Sequence, residues 1–172
     1  MKKNFYIILF FYLFISPANA KIVYIDIKYI LNSSEVGISL NNYISGISEK
    51  NNIKFKKLEE DLIKKEKNLI IQQNIIEKFE FEEKLKKLSN EVNNFRSNKK
   101  KSNNNIKQLR IQNTKKILNL LNPIITKYVE QQSISIVLPK KNIIVGKKNL
   151  DITTEILTLL NKQVKKLDFS NE

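Results

Sequence analysis

Residues 54–76, KFKKLEEDLIKKEKNLIIQQNII, decide the fold. Phe55, Leu62, Leu69 and Ile76 recur every seven residues, and Leu58 falls between the first two. This three-four alternation gives a helix one apolar seam, and nearly every other position is lysine, glutamate or an amide. Ile63, Ile70, Ile71 and Ile75 lie off the seam, so the helix carries more apolar side chains than one partner helix would cover.

The pattern continues on the C-terminal side. Phe81, Leu85, Leu88, Val92 and Phe95 step by four and three, Ile106 and Leu109 resume the spacing, and a thicker apolar run extends from Ile117 to Val129. Two helices with matching seams form a hairpin if the chain reverses between them. Gln72 to Lys78 and the asparagine-rich RSNKKKSNNN of Arg96 to Asn105 are the two weak places. At about 1.5 Å per residue, legs that leave and return to one body must have similar reach, which places the tip near residues 74–78 and the arm at 36–116. Arg96 to Asn105 then lies inside the returning leg, with Lys99 and Ser102 where the seam wants apolar residues; fraying or bending is expected there. Pro123, lacking an N–H, is expected to kink the same helix.

Both ends of the arm lead into β-like sequence. Ile22 to Ile27 is β-branched and aromatic, and Asp26 is placed to cap a short helical turn holding Lys28 to Leu31. Ser34 is the expected N-cap of the first long helix. After Gln132 the period switches from helical to two: SISIVL at 133–138 reads as a strand, Pro139 to Asn142 as a turn and Asn142 to Val145 as a second strand of a hairpin. Asp151 should cap a last helix with Ile152, Ile156, Leu159, Leu160, Val164 and Leu167 on one face. The expected fold is therefore α+β but mostly α: a three-stranded body built from residues 21–35 and 117–172, carrying a long antiparallel coiled-coil hairpin. Ile22, Val23, Ile25, Ile134, Ile136, Leu138, Ile143 and Val145 would form its core and association surface, because three short strands leave edges that call for self-association.

Composition narrows the chemistry. The 172 residues contain no Cys and no His, which removes thiol and imidazole catalysis, disulfides and Cys/His metal sites. Asp26 and Glu35 read as capping and first-turn carboxylates, and Gly37 and Gly46 stand alone, so no phosphate-cradling loop is available. The expectation is a protein that is not an enzyme, with no catalytic, cofactor-binding or metal-ligating residues. Residues 1–20, MKKNFYIILFFYLFISPANA, have the lysines, short apolar run and small-x-small ending of a secretory signal peptide, with Ala18 and Ala20 at the cleavage site. In a cell with two membranes the mature chain would reside in the periplasm, where there is no ATP. The net charge of the full 172 residues, +14, suits anionic partners. The lysine, asparagine and isoleucine excess is also what an AT-rich genome would impose on solvated helix faces. Export, and the lack of basic-aromatic interleaving, argue against nucleic acid.

The order of pieces resembles the Skp/OmpH family of periplasmic chaperones. The matching stretches are Lys21 to Ser34, Asn122 to Gln132, Ser133 to Val145 and Leu150 to Asn161. Where that family usually has a glycine after the returning helix, this chain has Gln132-Ser133. The resemblance implies a homotrimer whose arms enclose a cavity that holds unfolded outer-membrane β-barrel proteins without nucleotide hydrolysis. On that reading the residues left over from the seam are the client contacts: Ile63, Ile70, Ile71 and Phe81, with Arg96, Lys99, Lys100, Lys101 and Arg110 as long-range attraction. The rival from a different class is a non-enzymatic envelope spacer whose basic run binds anionic lipid or lipopolysaccharide.

Overall fold

The computed structural model describes residues 20–170; the signal-peptide assignment, Ala18 included, falls outside them, and Ala20 is their exposed first residue. Strand β1 (Ile22–Ile25) leads into helix α1 (Ile27–Ser33), and Ser34 starts the 38-residue α2 (Glu35–Gln72). After a reversal the 54-residue α3 (Lys78–Gln131) returns to β2 (Ile136–Pro139), and α4 (Thr153–Gln163) follows two 3-10 turns, Lys140–Asn142 and Lys148–Leu150. At 1.5 Å per residue α2 alone is about 57 Å long.

Local chemistry sets the element ends. The Asp26 carboxylate accepts from the Tyr29 N–H at 2.8 Å and so caps α1. The Ser34 hydroxyl accepts from the Gly37 N–H at 3.1 Å and caps α2. Ser34 is fully buried where α1 turns into α2. The fit is so close that a Cβ on Gly37 would lie 1.9 Å from the Leu31 carbonyl oxygen. Asp151 stands one residue before the N-cap of α4, and its carboxylate accepts from the Thr153 N–H at 3.0 Å.

The body differs from the expected three-stranded arrangement. The described residues form a two-stranded sheet in which β1 and β2 are parallel, with Ile22 opposite Ile136 and Ile25 opposite Pro139. Tyr24 adds a single parallel bridge to Asp151. A parallel pair requires a long crossover connection, and here the whole helical hairpin supplies it. The expected strand at Asn142–Val145 does not form: Lys140 to Asn142 wind into a 3-10 turn closed by the Ile143 N–H on the Lys140 carbonyl at 3.0 Å. The partner of residues 136–139 is therefore β1, more than a hundred residues away, rather than the next segment.

Beneath the sheet, Val23, Ile25, Ile30, Val36, Leu40 and Ile44 pack against Ile117, Leu121 and Ile124 of α3, with Ile152, Ile156 and Leu160 closing the other side. Each fully buried aliphatic chain contributes roughly 1.5–3 kcal/mol, so this region carries most of the apolar stabilisation. The arm is thinner. Beyond Ile44, only Phe55 and Leu69 are fully buried on α2, and Phe55 meets the Phe95 ring edge-on at 5.9 Å.

The helix α3 is continuous through Arg96 to Asn105 and also passes through Pro123 unbroken. The polar seam positions find partners on the other leg. The Asn51 amide donates to the Ser102 hydroxyl at 2.8 Å, and Lys99 pairs with Glu59 at 3.4 Å. Arg110 to Asn41, Lys65 to Glu91 and Lys84 to Gln72 continue the register from root to tip.

Candidate functional site

The expected contact residues distribute along the arm rather than converging on a pocket. Near the tip, Ile70 and Ile71 are 62% and 68% exposed, and Ile75 and Phe79 are more exposed still. Ile63 lies midway, at the edge of an open groove of about 480 Å³ between the legs, which Leu85 and Arg96 also line. Phe81 is half-buried on the facing leg. Lys100 and Lys101 are exposed, and Lys101 borders a second groove with Phe55, Leu58 and Asn105. Arg110 is at the root, where it donates to Asn41 at 2.8 Å beside a cavity of about 780 Å³ shared with Lys28 and Lys141. Lys99 is committed twice within the arm, to Glu59 and over the Phe95 ring at 5.4 Å. Farther out, hydrogen bonds to Glu91 and Asp61 hold the Lys65 ammonium above its ordinary value. Its distance of 2.9 Å to Glu91 ties the two legs.

The body residues divide into two sets. Val23, Ile25 and Ile134 are buried and Ile143 is half-buried. Ile22, Ile136 and Leu138 remain 44%, 47% and 37% exposed, and Ile144 and Val145 are almost bare at 99% and 90%. Alternation puts Ile22 and Ile136 on the same side of the sheet, opposite the core. Lys140 and Asp151 brace this surface at 2.8 Å. Burial alone would raise the Asp151 carboxyl, but hydrogen bonds from Lys140 and Thr153 and the Lys140 charge hold it below its ordinary value; the same hydrogen bond raises Lys140.

Three residues that the sequence reading passed over stand out at the arm root. Asn113 of α3 is completely buried, its side-chain amide donating to the carbonyls of Leu109 and Phe169. Phe169, beyond the end of α4, is 4% exposed and its ring packs 5.8 Å from Tyr43 of α2. The available signal was the asparagine itself, alone among Ile106, Leu109 and Ile117 on an otherwise apolar face.

Among the described residues no group of His, Cys, Asp or Glu could hold a metal ion, and no helix is long and apolar enough to cross a membrane. Comparison with curated proteins finds no significant match. The fold is similar to the crystal structure of an OmpH-like protein, a candidate outer membrane chaperone, from Caulobacter crescentus CB15. The TM-score is 0.80 at 18% identity, covering 91% of this chain and 93% of that one. The family described as outer membrane protein (OmpH-like) matches residues 21–160. With most of its length inside that match, the chain belongs to the OmpH-like family.

Proposed function

We propose that this protein is an ATP-independent periplasmic holdase that binds unfolded outer-membrane β-barrel proteins and prevents their aggregation. The observation that carries the reading is the row of exposed apolar side chains, Ile63, Ile70, Ile71, Ile75 and Phe79, along an arm in a chain of net charge +14. Family membership and a structural relative named as a candidate outer membrane chaperone support a chaperone role. Residues 21–35 and 117–172 are the association body and 36–116 the arm, and the apolar surface of Ile22, Ile136, Leu138, Ile144 and Val145 supports assembly into a homotrimer whose arms surround the client. Ile63, Ile70, Ile71 and Phe81 make weak apolar contacts, and Arg96, Lys99, Lys100, Lys101 and Arg110 attract acidic segments. Many weak contacts on linked arms sum to useful affinity without a shaped pocket.

The test is light scattering of an unfolded outer-membrane β-barrel protein diluted from urea without nucleotide. Suppression at about one assembly per client supports the proposal, and unchanged aggregation refutes it. Replacing Ile63, Ile70 and Ile71 together by Gln should weaken suppression at a nearly unchanged melting temperature, since Ile70 and Ile71 are mostly solvent-exposed and Ile63 is close to half exposed.

A further inference from the structure

The segment after α4 occupies a slot at the arm root in a way that satisfies only half of it. Phe169 inserts its ring beside Tyr43, and its carbonyl accepts from the Asn113 Nδ2 at 3.3 Å. The slot thus spans both legs, Tyr43 belonging to α2 and Asn113 to α3. The Oδ1 of the same buried amide has no hydrogen-bond partner among the described residues. A buried, unpaired carbonyl oxygen is costly, and the occupying segment fails to relieve it. The backbone N–H that follows Phe169, that of Ser170, is turned into the segment's own Asp168 carboxylate at 2.8 Å, with the Ser170 hydroxyl on the same oxygen at 2.7 Å. An extended peptide with an aromatic side chain and no such internal turn offers a C=O and a free N–H together, so it can pair both ends of the Asn113 amide.

We propose that the Tyr43–Asn113 slot is a binding site for extended, aromatic-bearing chain segments, and that Phe169 is a displaceable internal occupant of it. This rests on the holdase reading, because unfolded barrel strands carry the matching chemistry: alternating apolar residues with aromatic girdles near their ends. Displacement also removes a clamp that touches both legs, coupling occupancy of the root to opening of the arm. A tethered competitor acts at an effective concentration on the order of millimolar. If its own dissociation constant is about 0.1 mM, it lowers the apparent affinity for an incoming segment about tenfold.

The experiment measures fluorescence anisotropy of a labelled ten-residue peptide with alternating Tyr and Thr. Its targets are the full chain, a chain stopped after Leu167, and full-length Phe169→Ala, each first shown by circular dichroism to melt cooperatively. The stopped chain should bind about tenfold tighter and Phe169→Ala severalfold tighter. An unlabelled peptide of residues 164–170 should compete, while the same peptide carrying Phe169→Ala should not. Asn113→Leu in the stopped chain, which keeps the branched four-atom shape at a larger volume but removes the amide, should abolish the gain. Unchanged or weaker binding in both the stopped chain and Phe169→Ala overturns the proposal, as does a gain that survives Asn113→Leu. If the full chain still suppresses barrel aggregation in that case, the holdase reading stands and only the slot is lost.

Discussion

Replacing Ser133 by glycine should stabilise this protein, and the size of the gain follows from how α3 ends. Ser133 has φ of +50°, and it is the one non-glycine residue with positive φ among those described. The Ile134 N–H reaches back to the Val129 carbonyl at 3.0 Å and the Ser133 N–H to that of Glu130 at 3.3 Å, with Ile134 buried at 7% exposure. This is the Schellman arrangement, whose left-handed position usually belongs to glycine. An L-residue with a Cβ is disfavoured there by roughly 1–2 kcal/mol. Glycine removes that cost but loses about 0.5–1 kcal/mol more backbone entropy on folding. The net expectation is a gain of about 0.5–1 kcal/mol, which at a urea slope of about 2 kcal/mol per M moves the midpoint up by about 0.25–0.5 M. Urea unfolding at one fixed protein concentration, which holds any assembly equilibrium constant, should rank Gly above Ser and Ser above Val, because a β-branched side chain suits the left-handed region worst. A Ser133→Gly midpoint at or below that of the parent, with unchanged slope, would refute the reasoning.

Three further outcomes rest on equally local geometry. Gly37→Ala places its Cβ 1.9 Å from a backbone oxygen that cannot swing away, so thermal melts should show a loss of about 3 kcal/mol or more. Gly46→Ala, with nothing within 4 Å of its new methyl, should gain about 0.5–1 kcal/mol from helix propensity alone. The third concerns acid. Asp151 titrates below its ordinary value of 3.8, so its contribution is present above that pH and lost as pH falls through the lower folded value. Lys140 titrates above its ordinary 10.5, so the same ion pair is intact below 10.5 and lost only as pH rises through the higher folded value. Asp168, held low mainly by hydrogen bonds from Ser170, adds to the acid limb. Asp151→Asn should therefore lower stability by about 1 kcal/mol at neutral pH, a modest figure because Lys140 is half solvent-exposed. The difference from the parent should shrink as pH falls below 3.8 and through the lower folded value; a pH-independent difference would mean that the ion pair contributes nothing.

The arm was legible in the sequence because a seven-residue period is a local property of the chain. Phe55, Leu62 and Leu69 declare the seam, and comparing leg lengths puts the reversal near 74–78; in the structure α2 ends at Gln72 and α3 begins at Lys78. The body was less legible because its pairing is non-local. The two-residue alternation of 133–138 announces a strand, yet it says nothing of whether the partner is the next segment or β1. Asn142–Val145 looked like that next segment, being apolar and β-branched, but Ile144 and Val145 stay bare in the single chain and the preceding residues close a 3-10 turn. Taken one leg at a time, Lys99 and Ser102 are breaks in the apolar seam. Glu59 and Asn51 become their partners only once the antiparallel register is known. Asn113 is inconspicuous in the sequence for the same reason: what makes it significant is Phe169, fifty-six residues later.

The distribution of these contacts also explains why the two ends of the molecule should behave differently. The root is held by interlocked aliphatic chains and by the Asp26–Thr153–Asp151 hydrogen-bond chain, in which the Asp26 N–H donates to the Thr153 hydroxyl at 2.9 Å and that hydroxyl donates to Asp151. Toward the tip, two buried side chains on α2, half-buried seam residues such as Leu62, Leu88, Val92 and Phe95, and a ladder of polar pairs oppose separation of the legs. Exposed ion pairs such as Lys65–Glu91 add little, being screened by solvent, and a helix pair with so little buried apolar area belongs to the low-stability end of a protein's local unfolding spectrum. Hydrogen exchange should therefore rise steeply from Ile44 outward along α2, although the helix itself is continuous to Gln72. On the proposed holdase reading, a surface that holds chains of many sequences cannot be tightly self-satisfied. The exposed isoleucines near the tip and the half-satisfied Asn113 at the root are consistent with that requirement, at opposite ends of one hairpin.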